Sequence, residues 1–164
     1  MSNQEEDAPS LSPVIVPDGE GTIHHAFGDT VQVKLRGEDT GGLLSVGIGI
    51  APPGGGPPIH RHYNEDELFY ILEGRIRFLT NDEWTEVAPG GVVFLPRGSV
   101  HTFQNVGETP GKMLVITTSS GFATFFEKCA GVFAAAGPPD MGRIMSICGE
   151  HGIEILGPPP GAQH

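Results

Sequence analysis

The chain has 164 residues and a mass of 17.3 kDa, enough for one domain with a sizeable core. Its 20 acidic against 9 basic side chains leave a net charge of −11. That balance speaks against a nucleic-acid backbone or an anionic membrane surface as partner, since both are bound through clustered Lys and Arg. The 25 glycines and 15 prolines punctuate apolar runs between Ile48 and Ile116, as turns between short strands do.

Residues 1–17 are polar, acidic and proline-bearing, and read as a disordered or loosely docked tail in which Val14-Ile15-Val16 alone could join a sheet edge. They carry no basic n-region or apolar h-region, and no apolar run reaches the roughly 20 residues that span a bilayer, so a cytoplasmic protein is expected. Thr22 to Phe27 and Thr30 to Arg36 alternate as strands, with Val31, Val33 and Leu35 on one face of the second. Asp39-Thr40-Gly41-Gly42 turns into a strand over Leu43 to Ala51. Pro52 to Pro58 is an irregular loop with few backbone donors.

Leu68 to Leu72 is apolar on both faces, the pattern of an inner strand. Glu73-Gly74 is a hairpin turn, and Arg75 to Thr80 alternates Arg75 and Arg77 against Ile76 and Phe78. Asn81-Asp82-Glu83 turns into Trp84 to Val87, Gly91 to Leu95 is a further buried run, and Pro96-Arg97-Gly98 is a tight turn. In Val100 to Val106, His101, Phe103 and Asn105 share one face; Lys112 to Thr118 closes the strand set. Many short strands with evenly spaced turns mean an all-β sandwich or jelly-roll barrel.

After Ser120 the period becomes helical. Phe122, Phe125, Phe126, Cys129, Val132 and Phe133 stripe a first helix, and Asp140 caps a second that stops at Gly152. Both are expected to cover barrel surface. Cys129 and Cys148 lie in them, too few and too far apart for a disulfide framework, so buried free thiols are expected. The expected organisation is a tail at 1–17, a barrel over 18–120, a helical segment packed on it over 121–156 and a loose tail at 157–164.

Chemistry concentrates in His60, His62, Glu67 and His101. Residues two apart on a strand point to one face, so His60 and His62 can meet one cation. Glu67 adds a hard oxygen ligand, and folding alone can bring His101 to them. Three imidazoles and a carboxylate suit one divalent transition metal per chain, drawn from iron, manganese, nickel, cobalt, copper or zinc, and not a Cys-rich structural zinc site. Glu65 and Asp66 crowd the same loop, so the residues alone leave the carboxylate's identity open. By strand parity Phe69, Ile71, Phe78, Phe94 and Phe103 are candidates to line a pocket. His24, His25, His151 and His164 lack partners at ligand spacing and read as surface or structural.

The first block runs Gly54-x5-His60-x-His62-x4-Glu67-x6-Gly74, and the second Gly90-x5-Pro96-x-Gly98-x2-His101-x3-Asn105, with 15 residues between them. Both resemble the two signature motifs of the cupin superfamily. The resemblance implies a double-stranded β-helix (jelly-roll barrel) with two C-terminal α-helices appended, and its spacing makes Glu67 the ligand. With Gly121-Phe122, Phe125-Phe126-Glu127 and the terminal Gly-Ile-Glu-Ile-Leu-Gly-Pro-Pro-Pro, the chain is similar to bacterial cupins of the quercetin 2,3-dioxygenase-like group. That resemblance implies a metal-dependent dioxygenase on an enolic or phenolic small molecule, with dioxygen as co-substrate and Glu67 as ligand and general base. The alternatives are a metal-dependent isomerase or decarboxylase of a sugar or carboxylic acid, or a non-catalytic ligand-binding cupin. Arg75 and Arg77, whose alternation points outward, count against an anionic substrate. A homodimer paired through N-terminal strands is expected, since open sheets leave edges to cover.

Overall fold

The computed structural model describes residues 11–161. Strands β1 (Thr22–Ala26) and β2 (Asp29–Leu35) form a hairpin. Its two-residue turn, Phe27-Gly28, has φ of 56° and 84°, as the turn that matches strand twist requires. A 3₁₀ turn at Gly37–Thr40 leads to β3 (Leu44–Ala51). There follow β4 (His60–His62), β5 (Glu67–Glu73), β6 (Ile76–Thr80), β7 (Glu83–Val87), β8 (Val92–Leu95), β9 (His101–Asn105) and β10 (Gly111–Thr118). Two helices, α1 (Gly121–Phe133) and α2 (Met141–Glu150), and a last short strand β11 (Ile153–Ile155) complete the chain.

The strands form two antiparallel sheets, ordered β1-β2-β3-β10-β5-β8 and β11-β4-β9-β6-β7. Val33, Phe69, Ile71, Met113 and Val115 of the first sheet pack with Ile76 and Phe78 of the second in one apolar cluster. This is a jelly-roll barrel, as the strand pattern predicts. Gly74 shows why glycine stands in the β5–β6 turn: its φ is +89°, and a Cβ there would lie 2.8 Å from the Cα of Gly111.

The helices also form as expected. The Asp140 carboxylate accepts from the Arg143 N–H at 2.9 Å, and Gly152 ends α2 at a φ of +67°. Ile144, Ile147 and Cys148 of α2 meet Phe125 and Cys129 of α1 in a second apolar cluster. Both thiols are buried and free, and burial pushes that of Cys129 up to about 12.

Four expectations need correction. Leu68 to Leu72 and Gly91 to Leu95 are not buried on both faces, because nothing among the described residues covers the outside of β5 and β8. Tyr70, Leu72, Val92 and Phe94 are exposed there. Residues 153–155 are not an appendix to the helical segment: β11 pairs with β4, Ile153 opposite His62 and Ile155 opposite His60, so the end of the chain completes a barrel sheet. The described part of the expected C-terminal tail, 157–161, is not loose but returns to the barrel, where the Ile59 N–H donates to the Pro158 carbonyl at 3.4 Å. Finally, Val14-Ile15-Val16 forms no strand, and Ile15 is 88% exposed. Residues 1–10 of the N-terminal tail, and His164, lie outside the described residues. Among the described residues, no helix is long and apolar enough to cross a membrane.

Candidate metal centre

A loop and a tight turn bring the sequence-predicted ligands together. The proline-rich loop delivers β4, whose His60 faces His101 of β9 across the ladder. Glu67 opens β5. The turn into β9 is fixed by Gly98, whose φ is +84° and whose N–H donates to the His62 carbonyl at 2.6 Å. His62, Glu67 and His101 are buried. One candidate ligand atom from each of His60, His62, Glu67 and His101 lies within 4.8 Å of all the others.

The imidazoles are oriented by acceptors behind them. His60 Nδ1 lies 2.7 Å from the Pro58 carbonyl, His101 Nδ1 3.0 Å from that of Ser99, and His62 Nδ1 3.1 Å from Glu65 Oε2. Carbonyls and carboxylates only accept, so each Nδ1–H donates and each Nε2 is left to present its lone pair forward. Glu65, a neighbour of the ligand in sequence, thus stands behind His62 as its orienting group. It is buried, with Ser119 Oγ 3.5 Å away.

Glu67 Oε2 stands 2.9 Å from His101 Nε2 and 3.4 Å from His62 Nε2. Lone pairs at that separation repel unless positive charge lies between them, as protons or as a metal ion. Burial would lift the Glu67 carboxyl, but His62, His101 and His60 outweigh it and hold the group down at about 2. Burial lowers His60 to about 3, helped by His101 and His62. A neutral imidazole and an ionised carboxylate are the forms that bind metal. The donor set therefore fits one divalent transition ion, whose identity the set leaves open.

The quartet opens into a cavity shared by both sheets and the C-terminal segment. Phe69 and Phe103 line it beside the ligands. Of the other candidates, Ile71 and Phe78 lie deeper in the barrel core, Phe78 with its ring 5.9 Å from that of Phe103. Phe94 is excluded: it pairs with Leu68 on the outer face and is 61% exposed. The four-residue apolar run of β8 offers no alternation from which its face could be read; only register with β5 decides it.

Sequence reasoning missed the wall that α1 and β11 supply. Phe122, Phe125 and Phe126 of α1 and Ile153 and Ile155 of β11 line the cavity, so α1 does more than cover barrel surface. The helical stripe held the signal that α1 is amphipathic, but not what its apolar face would meet. Asp29 is the one ionisable side chain among the described lining residues outside the quartet, and no Lys or Arg lines the cavity. Arg75 instead binds Glu86 on the surface, and Arg77 reaches Gln104 and stacks on Trp84.

The chain is similar to known proteins in sequence and in fold. A family model described as Cupin domain matches residues 47–117. Germin-like protein 1-1 of Oryza sativa subsp. japonica is 35% identical over 111 residues, 65% of this chain and 50% of that protein. The oxalate-binding protein of Thermotoga maritima is 34% identical over 65 residues, 40% of this chain and 54% of its own. The chain thus spans about half the length of the curated relatives it matches. Among solved structures, a predicted oxalate decarboxylase of Thermotoga maritima superposes with a TM-score of 0.61, over 65% of this chain and 99% of that one, at 24% identity. Likeness at that identity shows the fold, a cupin β-barrel.

Proposed function

We propose that this chain, whose cupin-domain match over residues 47–117 and cupin-fold neighbours support its place in the cupin superfamily, is a metal-dependent enzyme acting on an apolar, aromatic small molecule. The reaction we favour is dioxygenation of an enolic or phenolic substrate, of the quercetinase-like type. One observation carries the substrate class: the His60, His62, Glu67 and His101 quartet opens into a cavity walled largely by phenylalanine and isoleucine, with no Lys or Arg among the described lining residues. Such a wall accepts an aromatic body and offers nothing to a phosphate or a polyanionic sugar.

A metal held there supplies Lewis acidity and, if redox-active, electrons. The residues supply the rest. His60, His62 and His101 are pre-oriented by their Nδ1 partners, so little is reorganised on binding. Glu67, ionised at neutral pH, is the group able to take a proton from a substrate hydroxyl that reaches its carboxylate. Phe69 and Phe103 exclude water beside that carboxylate, and Phe122, Phe125 and Phe126 close the cavity from the helical side.

The test is oxygen uptake by anaerobically purified protein reloaded in turn with iron, manganese, nickel, cobalt and copper ions, across flavonols and other enolic or catecholic compounds. Metal-dependent uptake with one compound class is the expected result. Absence of uptake with every compound, from protein holding a metal in each chain, would sink the dioxygenase reading. The isomerase, decarboxylase or binding-protein alternative would then take its place.

A further inference from the structure

The cavity has a polar point that the metal chemistry does not use. Asp29 begins β2, directly after the Phe27-Gly28 turn, and its side chain lines the cavity. Its Oδ1 is closed off from solvent and has no hydrogen-bond partner among the described residues. The hairpin does not explain it: a two-residue turn of this type asks for positive φ at its central positions and makes no demand for an acid after them. The turn is held elsewhere, by the Phe27 ring lying 6.2 Å from that of Phe125 and 5.2 Å from that of Phe133.

Buried acceptors in folded proteins are almost always paired, and one left alone destabilises the fold unless something else fills the place. No donor among the described residues does so here. Burial alone pushes the Asp29 carboxyl up to about 7, with no charged neighbour acting on it. No Lys or Arg among the described residues lines the cavity beside it.

We propose that Asp29 is a specificity-determining residue of the cavity: its unpartnered oxygen accepts a hydrogen bond from a hydroxyl on the part of an aromatic ligand that lies away from the metal quartet. The inference rests on the functional reading above and narrows it. The ligand is amphipathic, with one oxygenated group at the quartet, an apolar body along the phenylalanine wall and a second hydroxyl at Asp29. A site built to pair a hydroxyl rejects the analogue that lacks it, because its own polar group is then buried unpaired.

The experiment measures binding and needs no turnover. Metal-loaded wild type, Asp29→Leu and Asp29→Asn are titrated anaerobically by calorimetry with two flavonols. One carries a hydroxyl on the ring remote from its 3-hydroxyl, and the other is its deoxy counterpart. Metal content and circular dichroism establish that each variant is folded and loaded. Wild type is expected to prefer the hydroxylated compound by about tenfold. Asp29→Asn, whose amide oxygen still accepts, keeps part of that preference. Asp29→Leu loses it while holding the deoxy compound at least as tightly as wild type, since no polar group is then left buried unpaired.

A preference that survives in Asp29→Leu, or an equal loss for both compounds, overturns the inference and leaves the functional reading standing. Equal affinity of wild type for the two compounds does the same. Wild type that binds neither compound overturns the inference, and the oxygen-uptake panel then decides the functional reading.

Discussion

At one end of the cavity, Pro58, Ser99 and Glu65 each tie down an imidazole Nδ1, and the free faces of those rings converge on Glu67. The other part of the lining is apolar: Phe122, Phe125 and Phe126 of α1, with Ile153 and Ile155 of β11 opposite His62 and His60 in the ladder, and beside them Asp29, whose Oδ1 has no partner among the described residues. The first end is made by strands and the tight turns between them. The second comes mainly from α1 and β11, together with the first hairpin. The difference separates two tasks. Chemistry needs a few groups fixed to within fractions of an ångström, and strand registers supply that. Substrate choice needs shape, and packing of an appended segment supplies it.

Breaking the polar end should have the largest effect. His60→Ala or His101→Ala removes one of the four donors, and metal content should fall from roughly one ion per chain to near none, with the circular dichroism of the barrel retained. Content that stays near one ion in either variant would remove the quartet from the account.

Breaking the apolar end should cost stability and spare the metal. Phe125 is buried against α2 and the Phe27 ring, so Phe125→Ala should destabilise by about 3 kcal/mol in chemical denaturation. The same preparation should hold as much metal as wild type. A drop in metal content equal to that of His101→Ala would show that the two ends are not independent.

A finer probe acts behind the ligands. Glu65→Gln keeps the volume but weakens the group that orients His62, and metal affinity should fall by about tenfold at unchanged stoichiometry. An affinity indistinguishable from wild type would make Glu65 a bystander. The smallest effect is expected from thiol reagents: Cys129 and Cys148 are 0% and 1% exposed, and burial raises both thiols. Native protein at pH 8 should therefore give almost no reaction over minutes, and denatured protein two thiols per chain. Rapid native reaction would show that the helical wall opens readily.

The polar end was largely legible in the sequence, and for a physical reason. Strand parity is two, so His60 and His62 must share a face, and glycines at 54, 74, 90 and 98 mark turns that only a positive φ can make. The strands between those turns followed from alternation. The apolar end was not legible. Ile153–Ile155 is three residues long, too short to show a period, and nothing local says that its partner is β4. The α1 stripe announces a buried face without saying what buries it. Phe94 went to the wrong face because Val92-Val93-Phe94-Leu95 has no alternation, and the choice belonged to its pairing with Leu68. Asp29 follows a turn, where acids are ordinary, so only the folded cavity distinguishes it.

The most direct test of the metal centre is anomalous diffraction from crystals grown with cobalt or manganese, the metal first shown by elemental analysis to be bound. A single strong peak per chain is expected, in contact with Nε2 of His60, His62 and His101 and with the Glu67 carboxylate. A peak elsewhere in the chain, with the quartet still closed on itself, would contradict it.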